Sequence, residues 1–107
     1  MKVVLLAGAE QDLIELRNYV IKNFGKLAWV STYQQIKSAI RSLRDFPTSG
    51  AIPDEIAELQ LGQFRQAIAG MNRIIYEIVG NVVFVHIICD TRRQLRSILT
   101  RRLLRAK

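Results

Sequence analysis

Apolar residues recur with helical spacing through the first half of the chain and predict two long helices there. The first spans Ala9–Phe24, where one face carries Leu13, Leu16 and Val20. Three acids, which the positive end of the helix dipole favours, lie in its first turns: Glu10, Asp12 and Glu15. Gly25 follows in the place of a left-handed C-cap.

The second helix is predicted over Leu27–Phe46 and ends before Pro47, whose ring cannot continue a helix. Its apolar residues recur at intervals of four and three, which keeps them on one face: Trp29, Tyr33, Ile36, Ile40 and Leu43. Because the connection between the two helices is so short, they should form an antiparallel hairpin.

A different pattern, rich in apolar and β-branched residues, predicts a sheet from the second half of the chain. Strands are predicted at Phe64–Ala69, Asn72–Val79 and Val82–Cys89, with Gly80-Asn81 as a hairpin turn. The last of these is almost wholly apolar and should lie centrally, covered on both faces. A short buried strand at Val3–Ala7 precedes the helices.

The remaining segments complete the order β-α-α-β-β-β-α. Residues 47–63 are predicted as a loop with room for one helical turn in Ile52–Ile56. Thr91 and Gln94 have the spacing of a capping box that opens a last helix. The pattern predicts one α+β domain over residues 1–107, in which a helical hairpin packs on a small, mainly antiparallel sheet and a basic helix ends the chain.

The composition limits the kinds of protein to which the chain can belong. The 107 residues are 50% hydrophobic and 23% charged, as in a globular domain. With one cysteine and one histidine there is no intrachain disulfide and no Cys/His zinc site, and no cofactor motif is present, so we expect no metal and no cofactor. No apolar run approaches the roughly 18 residues of a membrane span. We therefore expect a cytoplasmic protein that binds no membrane.

Positive charge is concentrated at the C-terminal end of the sequence. Lys and Arg number 16 against 9 Asp and Glu, a net charge of +7, and residues 1–91 balance. The whole excess comes from seven bases without an acid: Arg92, Arg93, Arg96, Arg101, Arg102, Arg105 and Lys107. This asymmetry indicates an anionic partner, and a solvated basic helix is the alternative. Arginine pairs bidentately with carboxylate and phosphate, which favours recognition.

Four polar side chains on the predicted strands are candidates for chemistry. Arg65 and Arg73 lie on neighbouring strands, and Glu77 follows Arg73 by four residues on the same strand face, where the two should pair. His86 lies inside the last strand on the face of Phe84 and Ile88. It is either a satisfied core histidine or a general base with a pKa near neutrality.

Motifs in both halves resemble the RelE/ParE superfamily of toxins from bacterial type II toxin–antitoxin modules. In the second half they are Gly62-x-Phe64-Arg65-Gln66-x-x-x-Gly70-x-Asn72-Arg73-Ile74-Ile75-Tyr76-Glu77-Ile78 and Asp90-Thr91-Arg92-Arg93-x-Leu95. In the first half they are Ala9-x-x-Asp12-Leu13-x-x-Leu16 and Phe46-Pro47-x-x-Gly50. The fold that the resemblance implies is the one that the periodicity predicts.

The resemblance implies one of two activities. RelE-type members cut mRNA in the ribosomal A site with sheet-borne basic and acidic groups and often a C-terminal Tyr, which would make Arg65, Arg73, Glu77, His86 and Arg92 the candidate catalytic residues. ParE-type members, which stabilise plasmids and inhibit growth, trap DNA gyrase without known chemistry of their own. No His or Tyr follows Cys89, and the Lys-rich strand of RelE is absent. These features favour the ParE branch and a non-catalytic protein; a decayed member without toxicity is a third alternative.

The resemblance also implies partners. We expect Arg73, Arg92, Arg93 and Arg96 to bind the gyrase target. A cognate antitoxin of the ribbon-helix-helix type should cover apolar residues of the helical hairpin: Leu13, Leu16, Tyr33, Ile36 and Ile40. Operator DNA should be contacted only through the antitoxin.

Overall fold

The computed structural model describes residues 1–59 and 61–105, with side chains described up to residue 102. It confirms the predicted order, and the helical turn expected in the loop is a short helix at Asp54–Glu58. The elements are β1 (Lys2–Leu5), α1 (Ala7–Phe24), α2 (Lys26–Asp45), α3 (Asp54–Glu58), β2 (Phe64–Ala69), β3 (Asn72–Val79), β4 (Val82–Asp90) and α4 (Leu95–Arg105). The predicted first strand is two residues too long at its end, because α1 already begins at Ala7.

The four strands form one sheet in the order β1-β4-β3-β2. β1 runs parallel to β4, while β3 pairs antiparallel with both β4 and β2, so the sheet is mainly antiparallel as predicted. β1 is short, and its last paired residue, Leu5, lies opposite Val85. The second half of β4 therefore has no strand on that side.

Two apolar cores lie on the two faces of the sheet. The helical hairpin covers one face with Ala9, Ile36 and Leu43, which pack on strand residues such as Ile74, Tyr76 and Val85. The other face is covered by α3 and α4: Ile56, Leu95, Ile98 and Leu99 pack there on Phe64, Ile75, Ile87 and Cys89. β4 contributes to both cores, which confirms its predicted central position.

Gly25 is the single residue between α1 and α2. Its N–H donates to Ile21 O at 3.0 Å and its carbonyl accepts from Trp29 N–H at 3.3 Å, so it ends one helix and opens the next. Its φ of 91° is positive, as predicted, but its ψ of 170° is not that of a left-handed C-cap. Glycine alone adopts this region without strain, which is why the hairpin can turn on one residue.

The start of α4 differs from the predicted capping box. α4 begins at Leu95, so Thr91 lies too far upstream to cap it, and Thr91 N–H instead donates to Met71 O at 2.8 Å. The turn that leads into the helix is built by Asp90, whose carboxylate accepts from Arg92 N–H at 2.7 Å. An Asx turn of this kind competes with a capping box for the same stretch of backbone.

A β-bulge at His86 shifts the register between β3 and β4. Ile75 pairs with Ile87 and Tyr76 with Val85, so His86 has no partner residue in the ladder. The bulge reverses the alternation of side chains beyond it. Ile88 consequently joins the core under the hairpin, whereas His86 contacts the opposite face. The prediction that His86 and Ile88 share a face was wrong for this reason.

Candidate functional site

His86 and Glu77 form a close pair on the sheet face that α4 partly covers. His86 Nε2 lies 2.8 Å from Glu77 Oε1, and both side chains are mostly but not fully buried. The imidazole also meets the Phe64 ring edge-to-face, with centroids 5.0 Å apart. The histidine is therefore satisfied by a carboxylate, and the pair retains some contact with solvent.

Arg73 lies on the same face but bonds elsewhere. Its guanidinium donates to Glu55 Oε2 at 3.1 Å and to Thr91 O at 2.9 Å, and only 14% of its side chain is exposed. The predicted pairing of Arg73 with Glu77 is wrong, because α3 supplies the nearer carboxylate and Glu77 is taken by His86. Through these two hydrogen bonds Arg73 links α3 to the turn after β4. Little of its side chain is therefore accessible to a macromolecular target.

Arg65 points to the opposite face of the sheet. It donates to Gly50 O at 2.9 Å and to Thr48 O at 3.4 Å, in the loop after α2. Tyr76 holds the same loop: its hydroxyl donates to Pro47 O at 2.8 Å and accepts from Gly50 N–H at 3.1 Å. Burial raises the pKa of the Tyr76 hydroxyl, although the Gly50 hydrogen bond and the Arg65 charge oppose that shift.

The five candidate catalytic residues are thus not brought together as one set. Glu77 and His86 pair, while Arg65 and Arg73 lie on opposite faces of neighbouring strands and bind different loops. Arg92 is at the turn after β4, bound to Asp90. Of the five, only the carboxylate–imidazole pair has the geometry to hold and pass on a proton.

The arginines after β4 differ in whether a carboxylate of the protein pairs with them. Arg92 donates through Nε and Nη2 to the two Asp90 oxygens at 2.9 and 2.8 Å, although 70% of its side chain is exposed. This hydrogen bond lowers the pKa of the Asp90 carboxyl and raises the pKa of Arg92. Arg96 pairs with Glu58 of α3. Arg93 is exposed and has no ion pair among the described residues. Lys107 lies outside the described residues.

Arg93 also lines two adjoining cavities, one between α1 and the turn after β4 and one that extends to α4. One, of about 430 Å³, has Tyr19 and Leu16 on one wall and Arg92 on the other. The second, of about 570 Å³, extends along α4 to Arg101. Cys89 lies at the base of both, and burial raises the pKa of its thiol.

Comparison with known proteins identifies the chain. The family described as "ParE toxin of type II toxin-antitoxin system, parDE" matches residues 3–94. The chain is a member of the ParE toxin family. A solved structure described as "Chromosomal ParDE TA system from P. aeruginosa" has the same fold, with a TM-score of 0.70 and 13% identity, over 84% of this chain and 95% of that one. No curated protein sequence matches the chain.

Membership of the ParE family confirms the resemblance and the fold derived from the sequence. The residues expected to bind the antitoxin differ in how far this ParE fold leaves them accessible. Ile36 is fully buried, and Leu13, Leu16 and Ile40 pack against the same core. Only Tyr33 is exposed, at 37%. Sequence periodicity selects the face that packs on the sheet, so four of these five side chains are at least partly buried within the toxin itself.

One polar interaction of this ParE toxin was missing from the sequence-based prediction. Asp12 of α1 binds Arg102 of α4, with Oδ1 and Nη2 2.7 Å apart. In the sequence Asp12 is explained by the helix dipole alone and Arg102 by the basic C-terminal run. Nothing local relates two residues 90 positions apart.

Two further findings bear on the class of the protein. In the stretches 1–59 and 61–105, no three His, Cys, Asp or Glu side chains lie close enough together to hold a metal ion. Within the same residues, no helix has the length and apolar character that a membrane crossing requires.

Proposed function

We propose that this ParE toxin inhibits DNA gyrase and is neutralised by a cognate antitoxin of the ribbon-helix-helix type. The observation that carries the proposal is the family match over residues 3–94. ParE-type toxins act by binding and trapping gyrase, and the solved structure with this fold comes from a ParDE toxin–antitoxin system. Gyrase acts on the bacterial chromosome, so the toxin would act in the cytoplasm and stop growth.

The state of the candidate catalytic residues supports binding over cleavage. Arg73 and Arg65 hold the loops that flank the sheet, and Arg92 is bound to Asp90. An endoribonuclease needs a cation close to the reacting phosphate as well as an acid and a base. Here the cations of the five-residue set are already engaged by groups of the protein itself.

The surface after β4 is the part of the chain that we propose binds the target. Arg92, Arg93 and Arg96 lie there on exposed positions around the start of α4. Arg73 was expected to join them, and its burial removes it from this surface. Arg93 is the strongest candidate of the three, because Arg92 and Arg96 already share carboxylates.

The alternative, a RelE-like ribosome-dependent endoribonuclease, rests on one observation. The Glu77–His86 pair, 2.8 Å apart and in part accessible, could accept a proton from a ribose hydroxyl and return it to a leaving oxygen. In that case His86→Gln would abolish toxicity, whereas a gyrase inhibitor should keep it.

One preparation tested in two assays separates the activities. The purified toxin is added to gyrase with relaxed plasmid and, in parallel, to a translation system whose mRNA is analysed by primer extension. Loss of supercoiling with accumulation of cleaved plasmid, and intact mRNA, is the expected result. Cuts in translated mRNA with normal supercoiling would overturn the proposal, as would inactivity in both assays.

A further inference from the structure

A groove runs along the edge of β4 beyond Val85, where β1 has ended. α1 forms one side of it, and the turn after β4 and α4 form the other. The two cavities described above, of about 430 and 570 Å³, follow each other in this groove and share four lining residues: Asp12, Glu15, Cys89 and Arg93. We call them together the β4-edge groove. Each has a size typical of small-molecule sites, which measure about 300–1,000 Å³.

Most of the charges in the β4-edge groove are already matched by ion pairs of the toxin: Asp12 with Arg102 and Asp90 with Arg92. Arg93, Arg101 and Glu15 remain. All three are exposed, and none of them belongs to an ion pair in the stretches 1–59 and 61–105. Two guanidinium groups and one carboxylate are therefore available to a ligand that enters the groove.

The available groups follow one another along the groove in a definite order. The first cavity has Leu16 and Tyr19 in its wall, and Tyr19 is 53% exposed. Glu15 and Arg93 line both cavities, so they lie where the two meet. Arg101 lines only the second cavity. The order is thus an aromatic ring, then a carboxylate with a guanidinium group, then a second guanidinium group.

The same order of complementary groups is found in a nucleoside 5′-monophosphate. Its base can stack on an exposed aromatic ring such as Tyr19. A carboxylate such as Glu15 accepts hydrogen bonds from ribose hydroxyl groups. Arg93 and Arg101 can bind phosphate oxygens with paired N–H groups. Their two positive charges also match the charge of a phosphate monoester, about −1.5 to −2 at pH 7.

The carboxylates of the groove favour this small ligand over a longer polyanion. A nucleic acid strand or a strongly acidic peptide would bring further negative charges against Glu15 and Asp90, which line the first cavity. A mononucleotide carries its negative charge at one end only and presents neutral hydroxyl groups to Glu15. Cys89 at the base of the groove is neutral at pH 7, because burial raises the pKa of its thiol.

We propose that the β4-edge groove binds a nucleoside 5′-monophosphate, with its base against Tyr19, its ribose at Glu15 and its phosphate between Arg93 and Arg101. The site is built on a rigid base, because the Asp12–Arg102 pair beneath it is hydrogen-bonded to the backbone of β4. Binding there involves the toxin alone and does not depend on the proposed action on gyrase.

Isothermal titration of the full-length toxin with adenosine and guanosine 5′-monophosphate tests the site. We expect at least one of them to bind with a dissociation constant below about 1 mM. Ribose 5-phosphate and inorganic phosphate should bind about tenfold more weakly or less, because they lack the base. Arg93→Gln/Arg101→Gln should weaken nucleotide binding about tenfold or more. The control Arg41→Gln/Arg44→Gln removes the same charge from exposed positions of α2 and should stay within about threefold.

Two further variants test the orientation of the ligand. Glu15→Gln should reduce the preference for the ribonucleotide over its 2′-deoxy form, and Tyr19→Ala should reduce the preference for the nucleotide over ribose 5-phosphate. Circular dichroism should show every variant folded, since all these side chains are exposed. Absence of nucleotide binding by the wild type would overturn the inference. So would an equal loss in the α2 control, or inorganic phosphate that binds as tightly as the nucleotides, which would make the ligand an adventitious ion only.

Discussion

Arg102 holds the carboxylate of Asp12 with both terminal nitrogens of its guanidinium, at 2.7 and 3.1 Å, across 90 residues of chain. Both partners also bind the backbone of β4: Asp12 Oδ2 accepts from Ile88 N–H at 3.0 Å, and Arg102 Nη1 donates to His86 O at 3.0 Å. β1 ends opposite Val85, so this part of the β4 edge has no neighbouring strand. The ion pair satisfies backbone groups that an open edge would leave unpaired.

Removal of either partner should destabilise the toxin. We expect Arg102→Gln and Asp12→Asn each to lower the free energy of unfolding by about 1.5–3 kcal/mol, the range for hydrogen bonds to charged groups. The double variant should cost less than the sum of the two, because the partners act on each other. Urea denaturation of the four forms gives the coupling energy. Arg101→Gln, on an exposed neighbouring residue, is the control and should change stability by less than about 0.5 kcal/mol.

The Arg102 guanidinium lies where a side chain at position 8 would be, and Gly8 has none. A β-carbon at position 8 would lie 2.7 Å from Arg102 Nη1, which the Asp12 carboxylate and the His86 carbonyl hold in place. Alanine otherwise favours a helix over glycine by up to about 1 kcal/mol. Gly8→Ala should therefore bring no gain in the wild type and a gain in an Arg102→Ala background. Thermal unfolding of the four proteins tests this, and equal effects in both backgrounds would contradict it.

Elements that depend on local pattern could be predicted from the sequence. The bounds of β2 and β3 match those predicted from the sequence. The apolar residues from Trp29 to Leu43 placed α2 within one residue at either end. The hairpin turn at Gly80-Asn81 followed from its residue types, and Gly80 has the positive φ of 61° that such turns require. Each of these features is decided by neighbours in the chain.

The partners of polar side chains could not be predicted in the same way. Glu77 lies four residues after Arg73 on an extended strand, but the bulge at His86 places the imidazole against it, and α3 brings Glu55 to the arginine. A bulge has no signal in an apolar strand such as Val82–Asp90. Likewise, burial of Ile36 follows from the packing of α2 on the sheet, which its amphipathic pattern predicts only as one apolar face.

Tyr76→Phe should release the loop after α2. The change removes the hydroxyl that Pro47 O and Gly50 N–H share, so two part-buried backbone groups lose their partner. We expect a loss of about 1–3 kcal/mol at neutral pH, measured by urea denaturation. Protease cleavage in residues 46–51 should become faster. Gly50 is close enough to the Tyr76 hydroxyl that a β-carbon there would lie 2.4 Å from it, so Gly50→Ala should produce the same cleavage.

The same hydroxyl should make stability depend on pH in the alkaline range. Burial raises the pKa of Tyr76 above its ordinary value of 10.0, so the unfolded chain releases this proton first as the pH rises. The stabilisation that comes from this difference in pKa is constant below about pH 10. It is lost as the pH rises from about 10 toward the higher pKa of the folded protein. The stability difference between wild type and Tyr76→Phe should therefore shrink above pH 10. A difference that stays constant to pH 11 would show that the hydroxyl ionises equally in both states.

Arg93 should contribute more to target binding than Arg96. Arg93 is exposed and has no ion pair within residues 1–59 and 61–105, whereas Arg96 shares the Glu58 carboxylate and must give it up to bind another anion. We expect Arg93→Gln to raise the toxin concentration for half-inhibition of gyrase about fivefold or more, near 1 kcal/mol, and Arg96→Gln to raise it about twofold. Circular dichroism should show both variants folded, since Leu95, Ile98 and Leu99 keep α4 in place. If Arg93→Gln inhibits gyrase as well as the wild type, the basic residues after β4 face only solvent, and gyrase binds another surface of the toxin.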